Sequence, residues 1–147
     1  MEYQLRPYIA SDYEFVYYVK KLVYKAYVEE NWGEWNEEKQ REMFAEFISN
    51  YSADINIIVI EGKMAGFFHG NDISEDVFEI GNICILPAFQ GKGIGSSILK
   101  MLINVHAGQD ICLRFFKQNP VVNLYKKLGF EIIEELQHDY KMLLKNK

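Results

Sequence analysis

The sequence predicts an α/β protein of the α+β type: one mixed, mostly antiparallel sheet of six to seven strands, with helices on both faces. Three observations carry this. Strand-like and helix-like segments alternate in the order β-α-α-β-β-β-α-β-α-β-β. Ile55 to Ile60 and Met64 to Gly70 are apolar runs joined at Glu61-Gly62-Lys63, the pattern of an antiparallel hairpin. Val77 to Leu86, a helix from Ile94 to Ala107 and then Asp110 to Phe116 form a strand-helix-strand passage, which requires a parallel pair.

Each element has its own signal. Tyr3 to Ile9 reads as a first strand. Ser11-Asp12-Tyr13-Glu14 reads as a capping box, after which Phe15, Val19, Leu22, Val23 and Ala26 recur at helical spacing. The helix breaks around Asn31-Trp32-Gly33-Glu34-Trp35-Asn36. A second helix is expected from Glu37 to Tyr51, with Met43, Phe44, Phe47 and Ile48 on its inner face. Asn119 is placed to cap a later helix that has Pro120 at its first position and Gly129 past its end. Phe130 to Leu136 and Tyr140 to Leu144 read as closing strands. No linker, repeat or low-complexity stretch interrupts the 147 residues, so one domain over 1–147 is expected.

Composition bounds the function. The net charge of −5 is concentrated: Tyr27 to Glu46 holds seven acids and two bases, and the rest of the chain balances. An acidic chain without a basic stripe argues against nucleic acid as partner. No window is long and apolar enough for a membrane span, and Met1 to Arg6 does not resemble a signal peptide. Cys84 and Cys112 lie in strand-like runs and read as small core residues of a reducing compartment, so a cytoplasmic protein is expected. No cluster of His, Cys or carboxylates has ligand spacing, so no metal is expected.

The most informative run is Ile83-Cys84-Ile85-Leu86-Pro87-Ala88-Phe89-Gln90-Gly91-Lys92-Gly93-Ile94-Gly95-Ser96-Ser97. An apolar strand ends at a proline, a loop with three glycines follows, and a helix begins. Open backbone N–H groups at a helix start suit an anion, above all a phosphate or pyrophosphate. A P-loop does not fit, because Leu86 and Gly93 occupy positions it needs otherwise. A dinucleotide fingerprint does not fit either, because Ile98 or Ser96 stands where its third glycine belongs.

What remains, Gln90-x-x-Gly93-x-Gly95, resembles the coenzyme A signature of the GNAT superfamily of N-acetyltransferases. Asn119 to Phe130, with Leu124-Tyr125-Lys126-Lys127-Leu128-Gly129-Phe130, resembles the family's Asn…Leu-Tyr-x-x-Leu-Gly-Phe block. The strong resemblance covers about Val77 to Phe130. It implies acetyl-CoA as co-substrate, with the pyrophosphate on backbone amides from Phe89 to Gly95. Gln90, Gly91, Lys92, Gly93, Ile94, Gly95 and Ser96 are the loop candidates, and Ser97 can also reach phosphate. Backbone groups of Ile83, Cys84 and Ile85 would pair with pantetheine amides. One N–H there would polarise the thioester carbonyl and stabilise the oxyanion of the tetrahedral intermediate. Asn119 would cap its helix and touch the pantetheine.

For the chemistry, the resemblance implies Tyr125 as the acid that protonates the departing thiolate, against a core aromatic packed with Val121, Leu124 and Leu128. Glu79 is the candidate base, against a solvated strand-end carboxylate. His69 and His138 are weaker alternatives, and His106 is expected to sit on its helix's C-terminal dipole. Nothing marks Cys84 or Cys112 as a ping-pong nucleophile.

The acceptor site of the family is built by the first two helices and their loop: here Tyr24, Tyr27, Glu29, Glu30, Asn31, Trp32, Glu34 and Trp35, with Glu79 from the strand. Aromatics with carboxylates suit a small cationic amine, against a solvated acidic face with two packed tryptophans. Direct transfer to such an amine is expected. A protein or peptide N-acetyltransferase and a non-catalytic CoA-binding sensor are the competing readings. Family members are often homodimers, but no self-complementary patch is legible.

Overall fold

A computed structural model describes residues 2–147. Seven strands are interleaved with four helices: β1 (Gln4–Pro7), α1 (Tyr13–Trp32), α2 (Glu37–Tyr51), β2 (Ile55–Ile60), β3 (Lys63–Asp72), β4 (Val77–Ile85), α3 (Ile94–Val105), β5 (Asp110–Phe116), α4 (Val122–Lys127), β6 (Glu131–Glu135) and β7 (Asp139–Leu144). The strands form one sheet in the order β1-β2-β3-β4-β5-β7-β6. β1/β2, β2/β3, β5/β7 and β6/β7 are antiparallel, and β4/β5 is parallel over Val77–Ile80 and Asp110–Leu113. The mixed, mostly antiparallel sheet expected from the hairpin and the strand-helix-strand passage is therefore present.

The chain falls into two compact units. The first runs to His69 and resumes over Asn82–Ile94; the second comprises Gly70–Gly81 and Gly95–Lys147.

In the first unit, Val16, Val19, Phe44, Ile55, Ile57, Phe67 and Cys84 form a buried cluster. Each large apolar side chain so buried contributes roughly 1.5–3 kcal/mol. Tyr13 and Tyr17 meet Phe44 edge-on, with centroids 4.9 and 5.2 Å apart, which locks α1 to α2. The expected capping box at Ser11 is replaced by another device. Residues Ala10–Asp12 form a 3₁₀ turn, and Asp12 accepts from the Ile9 N–H (2.9 Å) and from both terminal nitrogens of Arg6 (2.8 and 2.9 Å). Glu14, the other half of the expected box, pairs with Arg41 of α2 instead. A charged guanidinium outcompetes a lone backbone N–H for the Glu14 carboxylate, and Arg41 lies 27 residues away in sequence.

β3 comes against the end of β4 through Gly66: a Cβ there would stand 2.1 Å from the Cys84 carbonyl oxygen. The Leu86 N–H donates to the Ala65 carbonyl (2.8 Å) and completes the junction.

In the second unit, Ile98, Leu99 and Leu102 are buried along one side of α3, and Phe78, Ile80, Ile111, Leu113, Phe115, Phe130 and Met142 are buried with them. α4 begins at Val122, later than Pro120 suggested. Asn119 Oδ1 accepts from the Val121 N–H (3.1 Å), so its cap closes a turn before the helix. α4 ends as expected at Gly129: its N–H bonds the Lys126 carbonyl (3.1 Å) and the Phe130 N–H bonds the Tyr125 carbonyl (3.0 Å), a Schellman pair.

Candidate active site

The loop from β4 to α3 is built by conformation rather than by packing. Pro87–Phe89 forms a 3₁₀ turn, and Gln90 is extended (φ −76°). Gly91 and Gly93 then have φ of 75° and 79°, with Lys92 between them outside the left-handed region. Alternating signs of φ turn successive N–H groups to one side, which makes a concave nest for an anion. Added Cβ atoms at Gly91 or Gly93 would meet nothing within 4 Å. Glycine is thus needed here for its backbone, and the space above the loop is open. The nest feeds directly into the first turn of α3, anchored by buried Ile94, where unpaired N–H groups and the helix dipole add to the attraction.

Gln90 lies beside this nest but is bound to the protein. Its side-chain amide donates to the Ile85 carbonyl (2.8 Å), tying the loop to the last residue of β4. Lys92 is exposed, with its ammonium 5.9 Å from the Phe89 ring centroid.

In the second unit, Glu79 stands opposite Cys112 in the parallel register, and the Cys112 thiol lies 3.8 Å from Glu79 Oε2. Burial, and then the Glu79 charge, push the Cys112 thiol up from its ordinary value. Burial likewise pushes the Cys84 thiol up to about 11. Both shifts run against the thiolate form that a cysteine nucleophile needs. Tyr125 packs between Phe115 and Phe130, at centroid distances of 5.5 and 5.7 Å. These contacts hold its ring in place for an acid as well as for a core aromatic. His106 does not cap a helix dipole in isolation: it stacks on Phe78 at 3.6 Å and pairs through Nδ1 with Gln109 (2.9 Å).

The turn between α1 and α2 is largely occupied with its own structure. Glu29 accepts from the Trp35 N–H (3.1 Å) and faces Lys25 (3.8 Å). Glu37 accepts from Lys21 (2.9 Å) and from the Trp35 indole N–H (2.8 Å), and these donors hold its carboxyl down at about 2. Trp35 itself packs against the core of the first unit. Asn31 donates to the Tyr27 carbonyl (2.8 Å), and both residues are half-buried. Glu30 and Glu34 are exposed, and Trp32 is 60% exposed.

Sequence reasoning missed a polar cluster in the first unit. Asn82 of β4 bridges two elements: its side-chain oxygen lies 3.3 Å from His69 Nδ1, and its amide donates to the Tyr24 hydroxyl (2.9 Å). The Tyr24 hydroxyl is also 3.5 Å from Cys84 Sγ. Lys20, one helical turn before Tyr24, holds its ammonium 3.8 Å from the Phe47 ring centroid. The available signals were an asparagine inside the apolar run of β4 and a lysine on the inward side of α1.

The sequence profile of the acetyltransferase (GNAT) family matches residues 21–130. The chain belongs to the GNAT family of acetyltransferases. It is an N-acetyltransferase using acetyl-CoA, as the glycine loop and the Leu-Tyr-x-x-Leu-Gly-Phe block implied. An N-alpha-acetyltransferase of Sulfurisphaera tokodaii is 26% identical over 113 residues, covering 66% of this chain and 68% of that protein. The fold is shared with the PaiA N-acetyltransferase of Thermoplasma acidophilum, solved with coenzyme A (TM-score 0.72, 20% identity, 99% of each chain). It is also shared with an N-acetyltransferase of Staphylococcus aureus (TM-score 0.75, 14% identity, 96% of this chain and all of that one). No described helix of this GNAT protein is long and apolar enough to cross a membrane, and no metal-binding group of His, Cys, Asp or Glu occurs among its described residues.

Proposed function

We propose that this enzyme acetylates a primary amine by direct attack within a ternary complex. The supporting observation is the nest at Gly91–Gly93 leading into α3. Its backbone N–H groups, with those of Ile94 and Gly95, hold the diphosphate of acetyl-CoA, and the Ser96 hydroxyl adds a donor. Gln90 keeps the loop in register with β4 through Ile85. Backbone groups of Ile83, Cys84 and Ile85 receive the pantetheine amides, and one N–H polarises the thioester carbonyl. Asn119 shapes the turn ahead of α4, where it also contacts the pantetheine. Acetyl-CoA supplies the activated acyl group.

The residues of the chain then manage protons. An ammonium has no lone pair, so the acceptor must lose a proton before it attacks; Glu79 takes it, directly or through water. Tyr125 gives its hydroxyl proton to the departing sulfur. The acceptor approaches the α1–α2 turn, where Glu30 draws in a cationic amine and Tyr27, Trp32 and Trp35 offer aromatic surface. Because Trp32, Glu30 and Glu34 are exposed, the turn is also open enough for the amino terminus of a peptide, the second reading, which the related N-alpha-acetyltransferase supports.

A panel of small amines and short peptides, assayed with acetyl-CoA and a thiol reagent, tests the proposal. Amine-dependent release of free thiol is expected. Binding of acetyl-CoA without thiol release for any acceptor would leave a CoA-binding sensor instead.

A further inference from the structure

The carboxylate proposed as base is held by one neighbour, and that neighbour is a thiol. Glu79 and Cys112 are direct partners in the parallel register of β4 and β5, so both side chains lie on one face of the sheet. The pairing ends one residue further on, at Ile80 and Leu113. The Cys112 sulfur is 3.8 Å from Glu79 Oε2. Among the described residues Glu79 has no other side-chain hydrogen bond and no ion pair. Lys141 of β7 shares this face, two residues from Leu143, the partner of Cys112 in that strand. Its charge acts on the thiol, but it forms no ion pair with Glu79.

The direction of this bond follows from the proton. An ionised carboxylate only accepts, and a thiol can donate. Burial, and then the Glu79 charge, keep the proton on the Cys112 sulfur, so the sulfur donates and Oε2 accepts. Cys112 is 2% exposed, so water does not compete for the S–H. An S–H group is a weak donor, and weakness has a use beside a base. A cation next to a carboxylate stabilises its charged form and makes it a poorer base. A neutral thiol limits the rotation of the carboxylate without adding charge.

We infer that Cys112 is a positioning residue: its S–H donates to Glu79 Oε2 and holds the carboxylate in the orientation from which it takes the acceptor's proton. The inference rests on Glu79 as the base and adds the group that orients it. Cys112 gives up no proton in the reaction. Fixing a base within reach of its proton raises the share of complexes poised to react, so the contribution is to kcat rather than to acetyl-CoA binding.

The test uses the full chain, with cadaverine and trialanine as acceptors. Cys112→Ala should lower kcat by about three- to tenfold, the loss of one weak hydrogen bond, with unchanged KM for acetyl-CoA. Cys112→Ser returns a donor and should regain most of that loss. In a Glu79→Gln background the alanine change should cost nothing further, because the bond serves only the base. A normal kcat in Cys112→Ala, even with a lower melting point, marks the residue as packing and overturns the inference. So does a loss that serine does not regain, or one that persists in the Glu79→Gln background. A second readout does not depend on turnover. The chain has two cysteines, so the S–H stretching band lost in Cys112→Ser belongs to Cys112. In Glu79→Met that band should rise in frequency, toward an unbonded thiol; a band that stays in place refutes the contact. If Glu79→Gln is fully active, or neither amine reacts, the reading of Glu79 as base fails for these acceptors, and the band alone decides whether Cys112 holds the carboxylate.

Discussion

Replacing Gly93 by alanine separates backbone conformation from packing at the proposed diphosphate nest. Gly93 sits at φ 79°, and an added Cβ meets no atom within 4 Å. The cost is therefore conformational, about 1–2 kcal/mol for holding an L-residue in the left-handed region. The free loop escapes this cost by relaxing toward negative φ, which turns its N–H groups out of the nest. Ligand binding must then restore the strained form, so the penalty appears in affinity: roughly a 5- to 30-fold weaker Kd for acetyl-CoA. The melting temperature of the free protein should change little, because the loop is exposed. Asparagine tolerates the left-handed region better than alanine, so Gly93→Asn should recover part of the loss. Titration calorimetry on the three proteins measures this. Full affinity in Gly93→Ala, or an asparagine variant no better than alanine, refutes the nest.

Gly66→Ala acts in the opposite way. Its Cβ would stand 2.1 Å from the Cys84 carbonyl, backbone against backbone, and β3 or β4 must move. A loss of about 3 kcal/mol or more is expected, read as a melting point lowered by roughly 10 °C; an unchanged melting point contradicts the close approach. Tyr125→Phe keeps the ring between Phe115 and Phe130 and removes only the hydroxyl. A fall in kcat of roughly 10²-fold or more with unchanged acetyl-CoA affinity is expected, and full kcat dismisses Tyr125 as the acid. Glu79→Gln should lower kcat/KM by a similar factor without altering acetyl-CoA binding; retained activity shifts the proton to a water chain. The Arg6 guanidinium holds the Asp12 carboxyl below its ordinary value of 3.8. A depressed carboxyl stabilises the fold above that value, and this part is lost as pH falls through the lower folded value. Urea midpoints should therefore decline below about pH 4, and Asp12→Asn should flatten that decline while costing about 1–2 kcal/mol at neutral pH.

The elements legible from sequence are those whose signals are local. The hairpin at Glu61-Gly62, the helix that starts at Ile94 and Gly129 past α4 each reflect a constraint between near neighbours; Lys63, expected in the connection, opens β3, and α3 ends at Val105, two residues early. The glycine loop was legible for the same reason: positive φ at Gly91 and Gly93 is a property of the chain itself, and it reads as an anion nest before any packing is known. Partners separated along the chain were not legible. Asp12 replaced Ser11 in shaping the start of α1 because Arg6 reached it, and Glu14 was taken by Arg41 of another helix. Gln90 bonds the Ile85 carbonyl, a partner that its motif does not name. Lys20 and Asn82 carried no motif at all. Their significance comes from a ring of α2 and a hydroxyl of α1 that folding brings to them, and sequence spacing does not encode such encounters. Sequence alone therefore determined the family, the order of the elements and the loop proposed to grip the carrier, because short-range backbone geometry dictates all three. Which side chains remain to meet an acceptor was decided only by tertiary structure, since each charged or polar group binds whichever partner the fold places nearest.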